Sequence, residues 1–145
     1  MTPRTPSPWR PARLFAGDDH ARRVWRVLLL LLLVVITWLA LAPHPPQEAN
    51  LGWDKLNHMA AFTALAFAGA LARTLCKRHL ATLSATLMLF GAWIEIAQSF
   101  VPGRSADGQD LVADAVGIVL GLLILWGVNR AIRALGRPSG PRPIA

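Results

Sequence analysis

The chain has 145 residues, of which 54% are hydrophobic and 16% charged, against about 45–50% and about 25% in a soluble domain. That excess points to a membrane, and the length to a single domain. The net charge of +7 sits in separate clusters with no nucleic-acid motif beside them, and a lone cysteine, Cys76, excludes an internal disulfide. Nucleic-acid binding and cysteine frameworks are therefore set aside.

Residues 1–23 begin Pro- and Arg-rich ("TPRTPSPWRPAR") and are expected to form a disordered basic tail. The run "VWRVLLLLLLVVITWLALA" then supplies a first span, Val24–Ala42, near the roughly 20 apolar residues that a crossing helix needs. Pro43 directly after the "ALA" at Ala40–Ala42 disfavours cleavage as a signal peptide, so the run is expected to stay as a helix. Further spans are expected over Leu56–Leu75, Leu80–Val101 and Leu111–Val128. Residues 24–129 thus make an all-α membrane domain, a bundle of four transmembrane helices, and residues 130–145 a second basic, Pro-rich tail.

Thirteen of the fifteen Lys and Arg residues fall in three places: Arg4, Arg10, Arg13, Arg22, Arg23 and Arg26; Arg73, Lys77 and Arg78; and Arg130, Arg133, Arg137 and Arg142. With four spans these all lie on one side. The positive-inside rule makes that side cytoplasmic, so both termini are expected inside. Six of the eight acids, Glu48, Asp54, Glu95, Asp107, Asp110 and Asp114, then lie toward the outer face with Lys55 and Arg104. Trp25 and Trp126 near inner ends and Trp38 and Trp53 near outer ends suit the same frame, since an indole N–H is satisfied at the interface.

The candidate binding residues follow from this convergence: Asp54, Lys55, His58, Glu95, Gln98, Arg104, Asp110 and Asp114 come from three stretches of sequence to one face. Asp54 and His58 lie within about 40° on the second helix, and Asp110, Asp114, Gly117 and Gly121 within about 60° on the fourth. Gly117 and Gly121 form a small-xxx-small surface that lets another backbone approach, so the two aspartates should face protein. Intramembrane ionisable groups are functional candidates by default, because a charge costs roughly 2.5–3.5 kcal/mol to place there. Blander roles compete: Asp110 as the N-cap of the fourth helix, Asp107-Gly108 as a turn, Lys55 snorkelling to headgroups. Cys76 and His79 fall at the opposite end.

The stretches "DKLNHMAAF" and "EIAQSFVPGRSADGQDLVADAVGIVLG" resemble the VanZ-like family of small bacterial membrane proteins. That family shows an Asp-Lys-x-x-His opening, a Glu-x-x-Gln helix end, a Pro-Gly-Arg turn and an Asp-x-x-x-Asn-x-x-Gly helix start. The resemblance covers Asp54 to Gly121 and falls on Asp54, Lys55, His58, Glu95, Gln98, Arg104, Asp110, Gly117 and Gly121. Phe62 stands where the family has tyrosine, and Asp114 where it has asparagine. The resemblance implies a multi-pass protein of the bacterial cytoplasmic membrane with a cell-envelope role, linked through the family's name to glycopeptide resistance.

Two functions of different class follow. The first is a binding protein for an envelope component such as a lipid headgroup or lipid-linked precursor, with Arg104 and Lys55 meeting anions and Glu95 and Asp114 meeting hydroxyls or amines. The second is an intramembrane enzyme on a lipid-linked substrate, with His58 and Glu95 as acid–base groups. A structural or transport-accessory bundle, packing against a second copy or another membrane protein, is the remaining alternative. No catalytic nucleophile motif is present. No cofactor or metal is expected, because one histidine with scattered carboxylates (His58, Glu95, Asp114) is a weak ligand pattern.

Overall fold

The computed structural model describes residues 15, 17–44, 46 and 51–135. Among these are four helices, α1 (Asp19–Leu41), α2 (Asp54–Leu71), α3 (Lys77–Gln98) and α4 (Gly108–Leu135), and no strand. The disorder expected of the tails concerns mainly residues 1–14 and 136–145, which lie outside the described residues.

Local chemistry sets the helix ends. The Asp18 carboxylate accepts the Ala21 N–H at 2.7 Å, satisfying one of the free donors of the first turn. α1 therefore starts five residues before the apolar run that the sequence marks. α4 likewise runs past position 129 to Leu135, carrying Arg130 and Arg133 on helix. Between α3 and α4 the chain reverses at Val101-Pro102-Gly103-Arg104. The Arg104 N–H donates to the Val101 carbonyl at 3.1 Å and Gly103 takes φ of 81°, a type II turn that needs glycine at its third position.

α1, α3 and Gly108–Ala134 of α4 are each long and apolar enough to cross a membrane, with mean hydropathies of 2.6, 1.6 and 2.4. Their outer faces carry exposed apolar side chains such as Val34 (68% exposed), Leu89 (73%) and Leu123 (56%), which suits a hydrocarbon solvent. α2 differs: it has 18 residues and opens with Asp54, Lys55, Asn57 and His58. It tolerates this because it touches all three other helices, burying Phe62, Leu65, Ala66, Ala68 and Ala70. Its neighbours are protein, so its polar first turns need partners on those helices instead of an apolar surface.

α2 packs most closely on α4. A Cβ added at Gly117 would lie 2.5 Å from the Met59 carbonyl oxygen, and one at Gly121 would overlap the Thr63 carbonyl and lie 3.0 Å from the Ala66 Cβ. Both obstacles are dominated by backbone, so only glycine allows this approach. The Thr63 hydroxyl donates to the Met59 carbonyl at 2.7 Å, with the Gly117 carbonyl at 3.1 Å. At one end of the bundle the Arg22 guanidinium donates to the Thr74 hydroxyl (2.9 Å) and Arg26 to the Ala72 carbonyl (3.0 Å). Asp54, Glu95, Asp107, Asp110 and Asp114 gather at the other end.

Candidate polar site at one end of the bundle

Each helix end contributes to this site. Asp54, Lys55 and His58 come from the first two turns of α2, Glu95 and Gln98 from the last turn of α3, and Asp110 and Asp114 from the first two turns of α4. Arg104 and Asp107 come from the connection between α3 and α4. His58, Glu95, Gln98, Asp110 and Asp114 are all buried, Asp114 completely.

His58 is the centre of the arrangement. Its Nδ1 lies 2.9 Å from Asp114 Oδ1. An ionised carboxylate only accepts, so with Asp114 ionised Nδ1 donates this hydrogen bond. Nε2 in turn faces Glu95 Oε1 at 3.7 Å, beyond hydrogen-bond length. The other Glu95 oxygen, Oε2, accepts the Asp107 backbone N–H at 2.8 Å, tying the end of α3 to the start of α4.

Asp107, and not Asp110, caps α4. Its Oδ1 accepts the Gln109 N–H at 2.9 Å. Its Oδ2 pairs with Lys55 Nζ at 2.7 Å, and that ammonium hydrogen bond holds the Asp107 carboxyl below the usual carboxylate range. Asp110, which the sequence offered as the cap, instead lies buried in the first turn with Oδ1 3.5 Å from Lys55 Nζ.

Two of the expected ligand-binding residues are engaged in structure. An α-helix leaves its last carbonyls without partners. The Leu39 carbonyl of α1 accepts from Arg104 Nη2 at 2.9 Å, the Ala40 carbonyl from Gln98 at 3.1 Å, and the Ala42 carbonyl beyond them from Arg104 Nε at 3.3 Å. Arg104 Nη1 also approaches Asp54 Oδ1 at 3.9 Å. Gln98 and Arg104 thus lock the end of α1 to the site.

Gly91 is a contributor that sequence reasoning missed. A Cβ there would overlap Asp114 Oδ2 and lie 3.2 Å from the Phe62 ring tip, so α3 needs glycine to admit the buried carboxylate. A glycine inside an apolar helix, far from any turn, was the only available signal. A second omission concerns ligand geometry. The set Asp54, His58 and Asp110 brings one donor atom each within 4.8 Å of one another, whereas the combination suggested by the sequence was His58, Glu95 and Asp114.

A cavity of about 320 Å³ opens beside His58, between α1, α2 and α3. Leu32, Ile36, Leu39, Ala60, Ala61 and Ala64 line its apolar wall, and Asp54, His58, Gln98 and Arg104 its polar end. Leu29, Leu32, Leu33 and Ile36 of α1 pack against the core, and the alanines that line the cavity from α2 fill little space.

With the order of polar residues now placed on α2, α3 and α4, the comparison with known families is decisive, since residues 25–130 match the VanZ/LLP1 family. The chain belongs to the VanZ/LLP1 family. The match spans all of α2, α3 and the connections between the helices, together with most of α1 and α4, so the polar site lies wholly within the VanZ/LLP1 region. No curated protein and no solved structure shows significant similarity to the chain.

Proposed function

We propose that this VanZ/LLP1 protein binds an amphiphilic component of the bacterial envelope, a lipid or lipid-linked precursor, with its head at the outer face of the cytoplasmic membrane. The observation that carries this reading is the amphipathic cavity, whose apolar wall of α1 and α2 side chains ends in Asp54, His58, Gln98 and Arg104. Its volume falls within the roughly 300–1,000 Å³ of ligand pockets. An amphiphile satisfies both ends at once: a hydrocarbon chain covers the alanine face, and its head meets the polar groups. The clustering of basic residues near the opposite end supports cytoplasmic termini by the positive-inside rule.

The test is binding by the purified chain in detergent of three tail-labelled probes: phosphatidylethanolamine, phosphatidylglycerol and a polyprenyl phosphate. At least one should bind, and Ala64→Phe, which fills the cavity with an apolar ring, should abolish that binding while the protein stays folded. Failure of all three probes, or undiminished binding by folded Ala64→Phe, would overturn the reading.

The oriented His58–Asp114 pair favours a second reading, acid–base catalysis on a lipid-linked substrate, since an imidazole with its Nδ1 proton fixed presents Nε2 as a base. Against it, Ser99 spends its hydroxyl on the Ile96 carbonyl at 2.6 Å, and Cys76 is at the far end of α3. Covalent alteration of the bound lipid after incubation would distinguish catalysis from binding.

A further inference from the structure

The carboxylates of the site outnumber its fixed cations. Asp54, Glu95, Asp107, Asp110 and Asp114 face only Lys55 and Arg104. Lys55 pairs with Asp107 at 2.7 Å and stands 3.5 Å from Asp110, and Arg104 is mostly spent on the α1 carbonyls. Three buried carboxylate oxygens have no hydrogen-bond partner among the described residues: Glu95 Oε1, Asp110 Oδ1 and Asp114 Oδ2. Asp110 is 2% exposed and Glu95 6%. Leaving such groups both charged and uncompensated is costly in a low-dielectric setting.

The donor geometry supplies the missing charge. One oxygen each of Asp54 and Asp110 and a ring nitrogen of His58 lie within 4.8 Å of one another. Glu95 Oε1 borders this set, 3.7 Å from His58 Nε2. Asp114 Oδ1 lies 2.9 Å from His58 Nδ1, so an ion taken by Nε2 would complete the carboxylate–histidine arrangement that orients an imidazole toward a metal. Metal–ligand bonds of about 2.1 Å place tetrahedral donors about 3.4 Å apart, so a modest contraction closes the set. Asp54 is half exposed and lines the cavity with His58, which gives an ion a route in.

We propose that Asp54, His58 and Asp110, with Glu95 alongside, hold a divalent cation of the Zn²⁺ or Mn²⁺ class. The mixed nitrogen and oxygen donors favour these ions over Mg²⁺ or Ca²⁺, which take oxygen alone, and over Cu⁺, which takes sulfur. This goes beyond amphiphile binding and is measured without any lipid, so either reading can fail while the other stands.

The untagged full-length chain, purified in detergent and stripped with a chelator, is titrated calorimetrically with Zn²⁺ and with Mn²⁺. One ion of at least one of the two metals should bind per chain. Asp110→Asn should weaken it at least tenfold, and Asp114→Ala should do so by 10–100-fold through loss of imidazole orientation. X-ray absorption of the zinc-loaded wild type requires no variant to fold, and it should show nitrogen and oxygen donors including one imidazole. A sulfur shell would locate the ion at Cys76, at the other end of the bundle, and overturn the proposal. So would the absence of stoichiometric binding, or affinity unchanged in both folded variants.

Discussion

Gly117→Ala tests the link between packing and the polar site. The new Cβ would lie 2.5 Å from the Met59 carbonyl oxygen, whereas ordinary contact begins near 3.4 Å, so α2 and α4 must part by about 0.9 Å. Neither obstacle can rotate away, because the oxygen and the Thr63 nitrogen, 3.1 Å off, both belong to the α2 backbone. Overpacking of this kind costs about 1–3 kcal/mol, or roughly 2–12 °C of melting temperature at about 2–4 °C per kcal/mol. Asp114 lies one turn before Gly117, so the same separation stretches its 2.9 Å hydrogen bond to His58. Gly127→Ala is the control: it lies on the same helix with nothing within 4 Å of the added carbon, and it keeps the gain of up to about 1 kcal/mol that alanine brings to a helix. Thermal unfolding in detergent, followed by far-ultraviolet circular dichroism, measures the difference between the two. Equal melting temperatures would refute the argument that the α2–α4 contact depends on glycine.

Arg104→Lys should destabilise by about 1–3 kcal/mol despite keeping the charge, because a single ammonium cannot reach both the Leu39 and Ala42 carbonyls; a melting temperature matching wild type would show that this cap contributes nothing. Glu95→Gln should fold normally, since the amide oxygen still accepts the Asp107 N–H, while binding of the cation or of the lipid probe falls. Glu95→Ala should also lose about 1–3 kcal/mol by orphaning that N–H, and equal stability of the two variants would contradict it. A reporter active only outside the cytoplasm, fused after Ala145, should stay silent; strong activity there would reverse the assignment of the polar site to the outer face.

Much of this was legible in the sequence because its causes are local or periodic. Apolar runs of spanning length specify α1, α3 and α4, since hydrocarbon admits only backbones that satisfy their own hydrogen bonds. The Gly117/Gly121 spacing on one helical face marks a close-packing stripe, and the turn residues Pro102 and Gly103 set the reversal that brings Arg104 back to the bundle. The collection of Asp54, His58, Glu95, Asp110 and Asp114 at one end likewise follows from helix order and residue spacing. Pairings across helices do not, because they depend on rotations and offsets of a fraction of a turn. Only the folded chain decides that Asp107 rather than Asp110 caps α4, and that Gln98 and Arg104 serve the carbonyls of α1. The same holds for Gly91, whose missing side chain is the space that the Asp114 carboxylate occupies. The sequence names α2 as a span by length, yet its polar opening is tolerable only because three helices surround it. That enclosure also joins Asp54, His58 and Asp110 into one donor set beside a cavity lined by α1, α2 and α3.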